Sequence, residues 1–398
     1  MTRGREESGV PGRLVAARAG VLVIFVVNGA TFASMVPRYP WIIERLHAST
    51  ADWGLVLGLC PIGGIALGWA AAGLMAWLGS RTTAAVFQIV STGALLLLAG
   101  APSLPWAAVA MLVMGAFDAL TDTAMNYHAL VLQREYGRSI LNSFHGWWSI
   151  GAVAGGLVGS AMAQLRVPLM AQGVGTLVVC AALSVLARAL MLPGAGAHDG
   201  RGDGLRPGAA GLTPRSLAVL VGLGALGAFG GGIEQGGSAF APLYMTDRFT
   251  VPAFVAGLGF VSLMVAQTAG RLLGDRIVDR LGPRRTVQLG ALVCVATMTL
   301  AVGLPAPATA LVGFAGAGWG IATMVPAAMH AGDRVPGVAP GVGLTVTTWV
   351  MRIGMVLFPI LIGAVGDAVD LRAAMLLLPG TAVCVLALSP LLGGPGDA

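Results

Sequence analysis

Asp118, Asp122 and Asn126 recur at four-residue spacing inside a long apolar run. On a helix each step of four turns the side chain by only about 40°, so the three form one polar stripe. An acid at bilayer depth costs a few kcal/mol or more, and such groups face a protein interior or a water-filled cavity. A carboxylate that alternates between a dry environment and one flanked by a cation can load and release a proton. Asp118 and Asp122 are therefore the candidates for proton coupling; the plainer reading gives one of them a structural ion pair. Asn142, His145 and Ser149 follow in the next apolar run at spacings of three and four. Two adjacent helices thus offer polar stripes to one cavity. His145 either titrates in the working range or packs as a satisfied core residue.

Further candidates lie elsewhere. Trp147 and Trp148 are adjacent, so only one of them, taken as Trp148, faces the cavity fully. Arg352 falls near mid-depth of an apolar run. It binds an anionic group, or pairs with Glu234, Asp118 or Asp122. Glu234 and Gln235 follow Gly230, Gly231 and Gly232, which are expected to unwind the helix and expose backbone groups. Glu234 serves a gate or a binding site, and Asn28 bonds substrate or a neighbouring helix. Arg271, Asp275 and Asp279 are expected to form a charge cluster at the cytoplasmic gate. His128 and His330 sit at inner helix ends and are read as interfacial.

The elements that must carry these residues are legible from composition. The chain has 398 residues, 56% hydrophobic and 10% charged, with mean hydropathy +0.84. A soluble domain carries about 25% charged residues. The chain is an all-α membrane protein whose partner is the lipid bilayer. Spans are predicted at 16–37, 52–78, 82–101, 105–132, 140–164, 168–191, 216–240, 254–278, 286–304, 308–330, 342–366 and 372–392. The Gly/Pro-rich stretch 193–215 divides them into a bundle at 1–192 and a second at 216–398. The first span is read as an uncleaved helix. All 23 basic residues are Arg, and most flank one side of the spans, which places both termini and the linker inside. Arginines in membrane-flanking loops do not point to nucleic acid. Cys60, Cys180, Cys294 and Cys384 each lie alone, with no metal-ligand spacing. No phosphate loop or catalytic triad appears, so neither an enzyme nor a cofactor is expected, and the chain is expected to be a monomer.

The two halves echo each other at an offset near 201 to 205 residues. Gly79 before Ser80-Arg81 matches Gly282 before Pro283-Arg284, and Ile150-Gly151 matches Ile353-Gly354. Gly115-Ala116 is matched to Gly316-Ala317, and Val36-Pro37 to Ala241-Pro242. On that register Trp319 and Thr323 are the tenth-helix counterparts of Asp118 and Asp122. An acid facing a Trp suits a polyhydroxy or amine ligand.

The run GDRIVDRLGPRR, residues 274–285, resembles the loop signature of the major facilitator superfamily. Asp279, Arg280, Gly282, Arg284 and Arg285 fall on its key positions, with Asp275 where its leading Gly stands. The first-half copy keeps only Gly79 and Arg81; Ala76 and Trp77 replace its Asp-Arg pair. The resemblance implies twelve helices in two six-helix bundles related by a pseudo-two-fold axis, with this loop steadying one end of an alternating-access cycle. DxxxDxAMN at 118–126, FHGxWSxG at 144–151 and TxGRLLGDR at 268–276 are similar to a branch near the fucose permeases, which includes the membrane protein of rhizopine gene clusters. Fucose permeases carry an acid in helix one; Asn28 is the polar residue there in this chain, so only the helix-four half of their coupling pair carries over.

These readings converge on a secondary transporter of the bacterial inner membrane. Its expected cargo is a small-molecule substrate of sugar, cyclitol or amino-polyol type, with protons as coupling ion. One alternative is an exporter of a drug or secondary metabolite. Residues 151–160 have the glycines of the drug-antiporter signature but not its Pro. Another alternative is a non-transporting sensor or assembly protein, in which Asp118, Asp122 and Arg352 would be sealed in fixed pairs.

Overall fold

The computed structural model describes residues 12–137, 140–193, 212–339 and 341–393; for Asn142 it describes the backbone alone. Most of the 193–215 linker and both extreme termini therefore lie outside the described residues. Ten helical stretches are long and apolar enough to cross a membrane. One of these, Ala253–Gly303, is two spans kinked at Gly282. A further span, Leu141–Gln164, is less apolar because Ser143, His145 and Ser149 fall in its first half. Twelve spans result. They are α1 (Gly12–Ala33), α2 (Thr50–Gly68, resuming at Ala71–Leu78), α3 (Ser80–Ala99), α4 (Leu104–Tyr136), α5 (Leu141–Gln164) and α6 (Leu169–Leu190) in the first half. The second half holds α7 (Pro214–Arg248), α8 and α9 (253–281 and 283–303), α10 (Pro307–Ile321, resuming at Met324–Asp333), α11 (Val342–Ala368) and α12 (Leu371–Met375 with Leu377–Leu388).

Turns fall where the chain supplies breakers. Gly79 (φ 77°, ψ 151°) and Gly282 (φ 78°, ψ 158°) adopt one conformation, reserved in practice for glycine. Each ends the second helix of its half. The match shows the repeat at the level of single dihedrals, and close approaches between helices extend it. Gly115 meets the backbone of Cys60 and Gly318 that of Leu263; Gly151 meets Val26 and Gly354 meets Ala228. Gly79, Gly115 and Gly151 thus stand 203 residues before Gly282, Gly318 and Gly354. Two six-helix bundles related by a pseudo-two-fold follow.

This register corrects one expectation. Asp118 and Asp122 align with Ile321 and Val325, and Trp319 and Thr323 fall two residues away. Letter matching chose Gly316 where backbone contact chooses Gly318. A second correction concerns Gly230, Gly231 and Gly232: α7 stays helical through them. They admit Met324, Met355 and Phe358 from α10 and α11, so they serve close packing rather than unwinding. A third concerns His128, which is fully buried with Nδ1 2.9 Å from Ser80 Oγ, while His330 is exposed.

The halves touch on the side of the α1–α2 connection. Gly54 of α2 lies against Pro359 and Gly363 of α11, where Thr50 Oγ1 donates to Gly363 O at 3.1 Å. Gly257 of α8 lies against Ser160 of α5, and Phe254 N donates to Gln164 Oε1 at 3.1 Å. Arg38 is fully buried on this side, donating to Gln172 and Val167 O and stacking on Trp41 at 4.6 Å. Toward the opposite side, Gly146 of α5 has only the Leu272 side chain within reach. There Asp122, His145, Arg271 and Arg352 are exposed.

Candidate functional site

The polar stripe of α4 splits into two environments. Asp118 accepts from Asn28 Nδ2 at 2.8 Å. Asn28 Nδ2 also donates to Gln88 Oε1 at 3.0 Å, and Trp148 Nε1 donates to Asn28 Oδ1 at 2.8 Å. An indole N–H only donates, so this bond fixes which end of the Asn28 amide accepts. Gln88 Nε2 donates to Thr31 and Thr92, whose hydroxyls return to the carbonyls of Val27 and Gln88. The result is a buried network across α1, α3, α4 and α5. Asn28, Thr31, Gln88 and Thr92 are at most 8% exposed. Each bond contributes about 0.5–1.5 kcal/mol net, and leaving a member unpaired costs more.

Asp122, one turn further, is open. Its described partner is Asn126 on its own helix, Nδ2 to Oδ1 at 2.9 Å. Neighbouring contacts place it. Asp118 reaches α1, while Ala116 and Ala119 lie against Gly63 and Gly64 of α2. Asp122 lies between these two directions. Arg352 of α11 is likewise exposed and makes no ion pair or hydrogen bond among the described residues. It lies on the stripe with Pro359 and Gly363 that touches α2, and Asp122 sits within its field.

The second half carries its own pair. Arg271 of α8 lies 3.4 Å from Glu234 of α7. The expected cluster of Arg271 with Asp275 and Asp279 is therefore not the arrangement found: Arg271 turns to Glu234, and the two aspartates form no ion pair among the described residues. Arg352 does not take Glu234 for the same reason. His145 is exposed, edge-on to Phe25 at 5.4 Å, and in the field of Arg271. Ser149 is buried, bonded to the His145 carbonyl. Trp148 is half-buried and Trp147 is exposed on the outer flank of α5. Gln235, Trp319 and Thr323 are half-buried near the glycine contacts of α7 and α8. Asn142 is helical; its side chain lies outside the described residues. Of the signature loop, Gly282 holds the turn, and Arg280, Arg284 and Arg285 are exposed or half-exposed around it.

Gln88, Thr31 and Thr92 were missed by sequence reasoning. A signal was present: Gln88, Ser91 and Thr92 repeat at spacings of three and four, like the α4 stripe.

No family profile matches the chain. It is 26% identical over 383 residues to an uncharacterized MFS-type transporter of Yersinia pestis, covering 94% of both chains. It is 26% identical over 382 residues to the membrane protein MosC of Rhizobium meliloti, covering 94% of this chain and 89% of MosC. Among solved structures, the nucleoside transporter NupG superimposes with a TM-score of 0.72 at 13% identity, over 95% of this chain and 99% of NupG. A bacterial homolog of the human lysosomal transporter Spinster, solved inward-facing and occupied, gives 0.72 at 16% identity, over 94% and 95%. Those two likenesses show the fold: with the glycine-marked repeat, the chain has the two six-helix bundles of the major facilitator fold. Over nearly its whole length it is similar to the MFS-type transporter of Yersinia pestis and to MosC.

Proposed function

We propose that the protein is a proton-coupled secondary transporter of the bacterial inner membrane that moves a small polar solute of sugar, cyclitol or amino-polyol type by alternating access. It works as a monomer with both termini cytoplasmic. Residues 1–192 and 216–398 rock about the site, joined by 193–215. The observation that carries this reading is the pairing of a networked acid with an open one. Asp118 is tied to three other helices through Asn28, so its bonding changes when those helices move. Asp122, His145, Arg271 and Arg352 stand open beside it, at a depth where charges are functional. Open charges also speak against a sensor with sealed pairs.

The test is transport in proteoliposomes. Asp118→Asn is expected to abolish accumulation driven by an imposed proton gradient while sparing counterflow exchange. Unchanged accumulation in that variant removes Asp118 from coupling.

One observation favours the exporter. An apolar crevice of about 240 Å³ lies along α5 and α8, lined by Ile150, Val153, Val265, Thr268, Ala269 and Leu272. A lipophilic compound would enter there from the bilayer. Stabilisation of the purified protein by hydrophobic cations, with none from polyols, would select this reading.

A further inference from the structure

The charges of the opening do not add up to a site for a neutral sugar. Glu234 and Arg271 pair with one another, and Asp118 is drawn by Asn28 into the network of α1, α3 and α5, whereas the bond to Asp122 comes from Asn126 on its own helix. Outside that network, two opposite charges of the opening stand without an ion pair among the described residues, Asp122 on α4 and Arg352 on α11. They belong to different halves, and each is exposed. Arg352 lies on the stripe of α11 that meets α2, and Asp122 lies on α4 between the directions of α1 and α2, so a closure of the opening that dries this region would strip both of water together.

A charge desolvated without a partner is costly. A neutral solute lying between them would hold the two apart and leave both unpaired on closure. A cation would leave Arg352 so, and an anion would leave Asp122 so. A ligand carrying both signs satisfies both, and the combined site has no net charge to oppose it.

We propose that Asp122 and Arg352 are the two ends of a binding site for a small zwitterion, its ammonium group on Asp122 and its carboxylate or other anionic group on Arg352. This rests on the transport reading and narrows its substrate class. It also divides the labour of the α4 stripe: Asp118 couples and Asp122 recognises.

The test is equilibrium binding to the full-length protein in detergent, using four probes on one carbon frame. These are glucose, glucosamine, glucuronate and the zwitterion glucosaminate. Glucosaminate is expected to bind at least tenfold more tightly than the other three. Arg352→Gln should shift the preference to glucosamine, and Asp122→Asn should shift it to glucuronate. Asp122→Glu and Arg352→Lys, which keep the charges, should retain the zwitterion preference and show that lost binding is not lost folding. Equal binding of all four, no binding by any, or a preference that survives both neutralising substitutions overturns the proposal. If glucose binds best and is accumulated by proteoliposomes, this inference falls and the transport reading stands. If only hydrophobic cations bind, both fall.

Discussion

The two halves share one backbone plan and almost none of its polar content. At the 203-residue register Gln88 corresponds to Ala291, Asp118 to Ile321 and Trp148 to Met351. Val26 and Ala228 make equivalent contacts 202 residues apart, which sets Asn28 against Gly230. Every bonded member of the α1–α3–α4–α5 network thus faces an apolar or small residue in the other half; Ala291 and Ile321 are themselves buried. The reverse also holds. Glu234, Arg271 and Arg352 correspond to Phe32, Gly68 and Ser149. Even the packing alternates: Phe87 stacks on Phe117 at 5.6 Å where Gly290 closes directly on Gly320. Glycine-mediated backbone contact and the turns at Gly79 and Gly282 are what the halves have in common, and the polar groups of the network and the opening are distributed between them without duplication. On the proposed transport reading, the symmetry belongs to the rocking of the bundles, and recognition to their difference.

The shared part is the more fragile. Gly115→Val and Gly318→Val each place a branched side chain against a neighbouring backbone, and each is expected to cost about 3 kcal/mol or more. Thermal melts of the purified variants check this; a large loss in one and none in the other would break the equivalence of the halves. Next in size is the buried network. Gln88→Leu leaves Asn28, Thr31 and Thr92 short of partners and is expected to cost about 1–3 kcal/mol. Ala291→Gln, at the mirrored position, should destabilise as well, since no network awaits it. If it proves neutral, the chemical contrast drawn here is weaker than stated. Trp148→Phe keeps the ring and deletes one donor, for about 1 kcal/mol in the same melts. Smallest is Glu234→Gln. The Arg271 it releases is exposed, so the stability change should stay under about 1 kcal/mol.

Much of the architecture was legible in the sequence because lipid permits so few solutions. Span positions and the Gly79–Gly282 correspondence needed only apolar run length and breakers. The α4 stripe was legible for the same reason, as polar residues stand out against hydrocarbon. What its period did not carry was environment. Asp118 and Asp122 differ by one turn, and the neighbour at Asn28 separates an acid bonded across helices from one bonded, among the described residues, only along its own. Arg271 was assigned to a gate because it sits beside the signature loop. Its side chain instead reaches α7, a contact between residues 37 positions apart. Arg38, one residue past the first predicted span, is buried, because Gln172 and a carbonyl from the distant α5–α6 turn satisfy it. In each miss the deciding partner lay on another helix, which one-dimensional periodicity does not encode.

The Trp148 indole has a consequence for timing. Because it can only give a proton to a hydrogen bond, the chain from indole to Asn28 to Asp118 has a single sense, and it ends on Oδ1. The other carboxyl oxygen is left out of this chain. A proton arriving there would turn no amide and break none of the bonds upstream. If Asp118 couples as proposed, its loading and unloading would then keep pace with the arrival of water, while the slow clock of the cycle would be the movement of whole helices.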